Sequence, residues 1–497
     1  MNVLAKEKAV VVQRLLNKFA ALTEKFLQKK KYNAALAAIR CSAYTQYSFN
    51  QCYTDAFLEE KLKQIAAEMK PAYQRQLSQL KADGNTVLFY DGFGLDTRGV
   101  AGMYLRSLKN NGYHIVYVTR ASAQNSIPTL MDLLEDADAV CEFVDMGDSH
   151  QTCINALVQV FIRHRPKTLF FYTTPDDVAG CVAFHLYEGI GKRYLIDLTD
   201  HAFWLGTGCN DYFLGSREMS ASNQLFGRGI PKEKLIKLGV NLVVDPLRQP
   251  EPLPFDVENS RYIFSGGSLY KTLGDVENTY YRIVDYILHN HKDVKFLYAG
   301  TGDDSQMRIL LKKYPEQAFL IPERKDFYYL IAHSVFYLNT YPMFGGMMMK
   351  FSAHAKKIPV TLRHNADSDG LLLDQAAAKI DYDTYEALVE DVDRLLKDEQ
   401  YLRSREALLE GKTITQQRFD NNLRSAIETQ TTDYDHAYEK QDTTEFIAEY
   451  YRRFNIAEVY RNICDKQNLP LLLRMPSAWP YLIDRALRKV KRICTRS

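Results

Sequence analysis

Two adjacent glycines, Gly345 and Gly346, stand between an apolar stretch and a helical stretch in the segment NTYPMFGGMMMKFSAHAKKIPV (339–360). A helix that begins on glycines presents unpaired N–H groups and the positive end of its dipole, which together bind a phosphate or diphosphate. Lys350 adds a cation to the first turns, where positive charge is unfavourable unless an anion lies near. The segment therefore predicts a nucleotide-sugar site.

A second glycine loop, SGGSLYKTLGD, precedes this segment in the same half of the chain. The N–H groups of Gly266, Gly267 and Ser268 can form an anion-binding concavity, and Lys271 lies near enough in sequence to add a cation. The loop is no Walker A motif, because GxxxxGK[ST] is absent. Between the two loops, Arg324 follows an apolar run and could bind the base, ribose or phosphates of a nucleotide. An ordinary surface charge explains Arg324 equally well.

The first half of the chain holds a candidate general base in the stretch LTDHAFWLGTG. His201 follows an apolar run that predicts a strand, and its proton is tunable near neutral pH. The adjacent Asp200 can orient the ring, and Trp204 could supply an apolar wall or a face on which an acceptor sugar stacks. A histidine of purely structural function is the alternative.

The loop DGFGLDTRGV places an acid, Asp96, and a cation, Arg98, at the predicted carboxyl end of another strand. The loop lacks the GxGxxG fingerprint of dinucleotide sites. A plain strand-to-helix turn explains its glycines but not the charged pair. Asp96 is therefore the second candidate for the base, and Arg98 joins Trp204 as a candidate acceptor contact. In the nearby TTPDD, the proline and acids predict helix capping.

Two kinds of sequence pattern predict the secondary structure that carries these residues. Residues 1–83 read as helices, which we interpret as an extension used for docking or assembly. From there on, short apolar runs alternate with amphipathic stretches, which predicts βαβ units and parallel sheets. A cluster of four prolines near residue 250 interrupts the series and predicts a linker. The fold class is thus α/β, with two tandem Rossmann-like domains whose ligands bind at the carboxyl ends of the strands.

The predicted organisation has four parts: a helical extension (1–83), an N-terminal Rossmann-like acceptor domain (84–245), a C-terminal Rossmann-like nucleotide-sugar domain (256–400) and C-terminal helices (401–497). We expect the last helices to complete and brace the second domain. Residues 478–497, the last of these helices, have the sequence pattern of a basic amphipathic helix. Two interpretations stay open for it: contact with an anionic membrane surface, or docking on its own domain.

Composition excludes some classes of function. The 497 residues carry a formal charge of +2, which does not indicate a nucleic-acid binder. Eight scattered cysteines form no CxxC pair and no metal-ligand spacing, and the chain begins without a signal peptide, so we expect reduced thiols in a cytoplasmic protein. Because no apolar run is long enough to span a bilayer, membrane contact is expected to be peripheral, on the inner face.

From about residue 86 to 400, the order of these motifs resembles GT-B glycosyltransferases of the group-1 (GT4-like) kind, found in bacterial capsule and surface-polysaccharide assembly. The resemblance implies a hexosyltransferase-like enzyme that moves a sugar from a nucleotide sugar to a lipid-linked or cell-surface glycan acceptor. It implies no metal and no cofactor besides the donor. By position, Gly266, Gly267 and Lys271 would lie at the phosphates, and Gly345 and Gly346 at the diphosphate or sugar.

The chain departs from the family pattern at two places. Ser268 stands where the family commonly has an arginine, and the segment 339–360 has no glutamate where the family carries two. Those glutamates ordinarily bind the donor sugar and ribose. A non-catalytic partner subunit of an active glycosyltransferase therefore stays open. A sugar-nucleotide epimerase stays open as well, because the fold alone does not separate it from a transferase.

Overall fold

The computed structural model describes residues 3–49, 52–96, 99–145, 147–244, 250–364, 369–434, 438–440, 442–444, 447–448, 455–465 and 467–494. The chain forms two compact units. The first comprises Met1–Leu238 with Asp420–Ser497, and the second comprises Gly239–Phe419. Among the described residues, no helix is long and apolar enough to cross a membrane.

The first unit is built on a parallel sheet of seven strands in the order β3-β2-β1-β4-β5-β6-β7. The predicted apolar runs form these strands because both faces of a parallel sheet are covered by helices. The strands are β1 (Asp83–Asp91), β2 (His114–Arg120), β3 (Val140–Val144), β4 (Pro166–Tyr172), β5 (Lys192–Ile196), β6 (Tyr212–Gly215) and β7 (Leu235–Lys237). The helices that follow β1, β2, β3, β4 and β6 are α4 (Val100–Asn110), α5 (Pro128–Asp136), α6 (His150–His164), α7 (Val178–Leu186) and α8 (Glu218–Ser222).

Three N-terminal helices, α1 (Val3–Gln28), α2 (Tyr32–Phe49) and α3 (Ala56–Leu77), share a hydrophobic core with α6 and α7. A buried carboxylate fastens α3 to this unit: Glu59 accepts hydrogen bonds from the backbone N–H groups of Gly206, Thr207 and Gly208, at 2.8 to 3.2 Å. Burial raises the pKa of Glu59. The predicted extension is therefore an integral part of the first unit.

The C-terminal helices also belong to the first unit. After α16 (Gln416–Glu428), helices α17 (Ile456–Ile463), α18 (Leu469–Leu472) and α19 (Trp479–Cys494) follow, and Val459, Tyr460 and Leu472 are buried in the core that holds α1 to α3. The expectation that these helices brace the second domain is therefore wrong from Asp420 onward. Amphipathic periodicity shows that a helix has a partner, but it does not identify the partner. The four predicted domain boundaries stay predictions.

The second unit has a six-stranded parallel sheet in the order β10-β9-β8-β11-β12-β13. Its strands are β8 (Arg261–Gly266), β9 (Val294–Ala299), β10 (Ala318–Ile321), β11 (Tyr337–Leu338), β12 (Pro359–Leu362) and β13 (Asp381–Tyr382). Its helices are α9 (Thr279–Asn290), α10 (Ser305–Lys313), α11 (Phe327–His333), α12 (Gly346–His354), α13 (Gln375–Ala378), α14 (Tyr385–Lys397) and α15 (Glu399–Ala407). The strand order reverses between β8 and β11, as it does between β1 and β4 in the first unit. In sheets of this topology, ligands bind where the order reverses.

A buried histidine in α7 makes the first unit sensitive to acid. His185 is 5% exposed, neither ring nitrogen has a hydrogen-bond partner in the described residues, and burial lowers its pKa to about 4. The unfolded chain binds a proton near the ordinary pKa of about 6.5, so stability falls as pH drops from there towards 4. Because of this difference, we expect the free energy of unfolding to fall by about 2 kcal/mol between pH 7 and pH 5.

Urea denaturation at the two pH values measures this cost. In His185→Met, the loss of stability between pH 7 and pH 5 should be smaller than in the wild type by that amount, whereas the exposed His114→Met should match the wild type. His150, whose pKa is also lowered to about 4 by burial, contributes equally to all three proteins. An unchanged pH dependence in His185→Met would contradict the prediction.

Candidate functional site

The two glycine loops predicted to bind phosphate lie side by side in the second unit. One follows β8 and the other follows β11, and these strands pair in parallel through Phe264 and Tyr337. A direct backbone contact joins the loops, because the N–H of Met343 donates to the carbonyl of Lys271 at 3.2 Å. Both loops leave the carboxyl ends of neighbouring strands where the strand order reverses, the usual ligand position in such sheets.

Glycine is required in the first loop because backbones approach closely there. Gly267 has a φ of +129°, which favours glycine over residues with a side chain. A Cβ atom on Gly300, in the loop after β9, would lie 2.0 Å from the carbonyl oxygen of Gly267. A Cβ on Gly266 would lie 3.1 Å from the carbonyl oxygen of Ala299. The loop is thus held compactly against its neighbour, with Ser268 exposed beside it.

The second loop is shaped by a buried amide. Asn339 accepts hydrogen bonds from the N–H groups of Thr340 and Gly345, at 3.0 and 2.8 Å, and donates to Thr361 Oγ1 at 3.2 Å. Helix α12 begins directly after Gly345, and among the described residues no side chain caps its N-terminus. The first N–H groups of α12 are therefore left for an anion. Sequence reasoning assigned Asn339 no role.

The two predicted lysines occupy different environments. Lys271 is partly exposed in the short turn after Ser268. Lys350, in contrast, is only 4% exposed on the second turn of α12. A direct phosphate contact requires an accessible ammonium group, so the geometry supports Lys271 more than Lys350.

Arg324 is engaged within the second unit. Its guanidinium donates to the carbonyl oxygens of Glu251 and Pro252, at 2.7 and 2.8 Å, and to both carboxylate oxygens of Asp326. Hydrogen bonding to Asp326 raises the pKa of Arg324. These contacts fasten the end of the proline-rich linker to the loop after β10. They argue against the predicted role of Arg324 in donor binding.

In the first unit, His201 lies beside a buried charged pair at the carboxyl end of β5. Asp200 accepts from Arg217 Nε and Nη2, at 2.6 and 2.8 Å, and from Ser220 Oγ at 2.6 Å. Burial alone would raise the pKa of Asp200, but the charge and hydrogen bonds of Arg217 hold it well below the ordinary value. His201 Nδ1 is 3.4 Å from Asp200 Oδ1, and its side chain is 29% exposed. A fixed carboxylate thus faces one nitrogen of a reachable imidazole.

Trp204 does not offer a stacking face to a sugar. It is 3% exposed, its Nε1 donates to Asp197 Oδ1 at 3.0 Å, and the Arg228 guanidinium lies 4.0 Å from its ring centre. Burial raises the pKa of Asp197 to about 6. The predicted acceptor contact is therefore a core residue that holds the loop after β5. Sequence reasoning missed Asp197 and Arg228, although an acid inside the apolar stretch YLIDL is a signal for a paired interior charge.

Asp96 has a structural function that the sequence did not predict. Its two carboxylate oxygens each accept a backbone N–H at 3.0 Å, from Thr129 and Leu130, and so cap the first turn of α5. This engagement argues against its role as a base. Arg98, the cation of that loop, lies outside the described residues. Asp177 caps α7 by accepting from Gly180 N at 2.8 Å, which confirms the capping predicted for TTPDD.

No group of three or more histidine, cysteine or acidic side chains that could hold a metal ion occurs among the described residues. The candidate site in the second unit offers backbone N–H groups, glycines and a lysine. Such a set binds an anion of phosphate type through hydrogen bonds and charge.

Comparison with known proteins identifies the fold. No family model and no curated protein matches the sequence. Among solved structures, a glycosyltransferase from Rickettsia africae has a TM-score of 0.52 at 12% identity, covering 70% of this chain and 99% of its own. A candidate UDP-N-acetylglucosamine 2-epimerase from Listeria monocytogenes has a TM-score of 0.52 at 12% identity, covering 72% of this chain and 100% of its own. A further UDP-N-acetylglucosamine 2-epimerase has a TM-score of 0.51 at 12% identity, covering 72% of this chain and 100% of its own. The two parallel-sheet units thus have the GT-B fold, with two Rossmann-like domains.

Proposed function

We propose that this protein is a glycosyltransferase that moves a sugar from a nucleotide-sugar donor to a glycan acceptor. The observation that carries the proposal is the pair of glycine loops after β8 and β11, joined by the contact from Met343 to Lys271 where the strand order reverses. The GT-B fold agrees with it. One solved structure of that fold is described as a glycosyltransferase.

In the donor half of the reaction, the protein has to stabilise the negative charge of the leaving group. Breaking the bond between the sugar and the diphosphate develops negative charge on the leaving phosphate. Fixed N–H groups at the start of α12 and the cation of Lys271 stabilise that charge and lower the barrier. Because dipoles and a cation supply this stabilisation, we propose that the reaction needs no metal and no cofactor besides the donor.

The acceptor half needs a base that removes a proton from the attacking hydroxyl. His201 is our candidate, since its side chain is 29% exposed and Asp200 faces its Nδ1, which orients the ring to act as a base. The acceptor itself is proposed to be a lipid-linked or cell-surface glycan. That finer assignment is supported by the resemblance of the motif order to transferases of bacterial capsule and surface-polysaccharide assembly.

An epimerase is the second candidate, because two solved structures of the same fold and similarity are described as UDP-N-acetylglucosamine 2-epimerases. A non-catalytic partner subunit is the third, since residues 339–360 contain no glutamate. Incubation with UDP-, GDP-, TDP- and CMP-sugars, with and without a membrane glycolipid extract, separates the three. Nucleotide release that needs the extract indicates transfer, sugar conversion without it indicates epimerisation, and binding without turnover indicates a partner subunit.

Asn339 gives a test of the loop geometry. In Asn339→Ala, the N–H groups of Thr340 and Gly345 lose their acceptor, so the start of α12 is no longer fixed. We expect nucleotide affinity to fall at least tenfold and the free energy of unfolding by about 1–3 kcal/mol. Isothermal titration with the donor nucleotide and urea denaturation measure the two effects. The exposed Asn290→Ala is the control, and equal affinities in both variants would contradict the prediction.

A further inference from the structure

Large apolar side chains that remain exposed are concentrated near the C-terminus. Within the described part of the chain, five such residues lie between positions 469 and 487, whereas the others are spread over positions 10–309. The five are Leu469, Leu473, Trp479, Ile483 and Leu487, with exposed fractions of 38% to 64%. Single exposed apolar residues are common on protein surfaces, but a concentrated group marks an interaction surface.

Four of these residues form one surface, which we call the apolar patch: Leu473, Trp479, Ile483 and Leu487. The last three recur every four residues along α19, so they lie on one side of that helix. The indole Nε1 of Trp479 donates to the carbonyl oxygen of Leu473 at 2.9 Å, which places Leu473 beside them.

The opposite side of α19 already has its contacts in the first unit. The Tyr481 ring stacks on the Tyr460 ring of α17 with centroids 4.8 Å apart, and Leu482 packs against the core. Arg485 donates to the carbonyl oxygen of Arg461 at 2.9 Å. The helix is therefore docked on its own unit, as one of the two interpretations of the sequence expected. Docking leaves the apolar patch exposed, so the two interpretations do not exclude each other.

The charge of the C-terminal segment is strongly one-sided. Residues 474–497 carry seven lysines and arginines and a single acid, a formal charge of +6, whereas the whole chain carries +2. That acid, Asp484, pairs with Arg488 at 2.9 Å. A helix with an apolar stripe, a tryptophan at one end and a basic surplus matches the interface of an anionic bilayer. A nucleic acid would use the cations, but it would gain little from the aliphatic stripe.

We propose that α19 binds the surface of an anionic lipid bilayer through the apolar patch, and that the formal charge of +6 on residues 474–497 favours this binding. Trp479, Ile483 and Leu487 enter the headgroup region, and the positive charge of the segment attracts the lipid phosphates. The helix lies in the plane of the surface. This binding needs neither donor nor turnover, so it stands apart from the proposed function.

The test is co-sedimentation of the full-length protein with vesicles of phosphatidylcholine alone or mixed with phosphatidylglycerol. We expect binding to the mixed vesicles only, weakening as salt rises. The variant Ile483→Glu/Leu487→Glu should reduce the partition coefficient at least tenfold. The matched control is Ile309→Glu on α10, because Ile309 and Ile483 are similarly exposed, at 63% and 60%. This control should bind the vesicles like the wild type.

A second variant tests the charges: Lys489→Gln/Lys491→Gln/Arg492→Gln should remove the preference for anionic vesicles. Circular dichroism of each variant reports its folding. The proposal is overturned if the wild type does not sediment with anionic vesicles, or if Ile483→Glu/Leu487→Glu sediments equally well. Retention on heparin without vesicle binding would likewise overturn it in favour of a polyanion site. Donor turnover in the same preparations is a separate readout, so failure of membrane binding and failure of the transferase function are distinguishable.

Discussion

Turnover of the nucleotide sugar is expected to fall about 10²- to 10⁴-fold when His201 is replaced by alanine, which is the usual contribution of a general base. The imidazole faces Asp200 through Nδ1 and is 29% exposed, so an acceptor hydroxyl can reach the ring. Donor affinity should stay unchanged, because we propose that the glycine loops of the second unit hold the phosphates. Steady-state kinetics and donor titration measure the two quantities.

The control for this variant is His114→Ala, an exposed histidine of the same unit at the start of β2. It should react like the wild type. Thermal denaturation checks that both variants fold. Turnover of His201→Ala within a factor of two of the wild type would remove His201 from the mechanism and leave the base unassigned.

The free energy of unfolding is expected to fall by about 3–5 kcal/mol when Asp200 is replaced by alanine, because the buried Arg217 then loses its carboxylate. Both side chains are about 6% exposed, and two hydrogen bonds of 2.6 and 2.8 Å join them. Urea denaturation measures the effect. The double variant Asp200→Leu/Arg217→Met should recover part of the loss, since it removes both charges from the interior.

A surface pair provides the matched control for Asp200. Asp136 pairs with Lys109 but is 64% exposed, so Asp136→Ala should cost less than about 1 kcal/mol. If Asp200→Ala costs no more than Asp136→Ala, the buried pair does not hold the loop that carries His201, and the geometry of the base has to be explained differently.

The sequence predicted the strands well because burial on both faces leaves a strong signal. Apolar runs such as TVLFYD and RYIFSGG are β1 and β8 in the structure. The place of the terminal helices was not predictable in the same way. The packing partners of α3 and α17 depend on contacts such as Glu59 with the loop at Gly206, 147 residues away along the chain. Periodicity contains no such information.

The two loops of the candidate site were predictable because glycines mark their backbone conformation. Glycines after β8 and before α12 indicated two phosphate loops, and the structure places these loops in contact. Predictions of ligand contacts from the type of a side chain were less successful. Arg324 and Trp204 have suitable chemistry for a ligand, but the carbonyl of Glu251 and the carboxylate of Asp197 already bind them. A sequence gives the type of a side chain, whereas its partners come from the fold.

The central claim is that the second unit binds the nucleotide of the donor at the two glycine loops. Isothermal titration of the wild type, Lys271→Gln and the exposed Lys312→Gln with UDP, GDP, TDP and CMP tests it most directly. We predict that one nucleotide binds the wild type and Lys312→Gln equally. In Lys271→Gln its affinity should be about 10- to 100-fold lower, as expected for a lost charged hydrogen bond. Absence of binding by all four nucleotides, or equal binding by all three proteins, would contradict the claim.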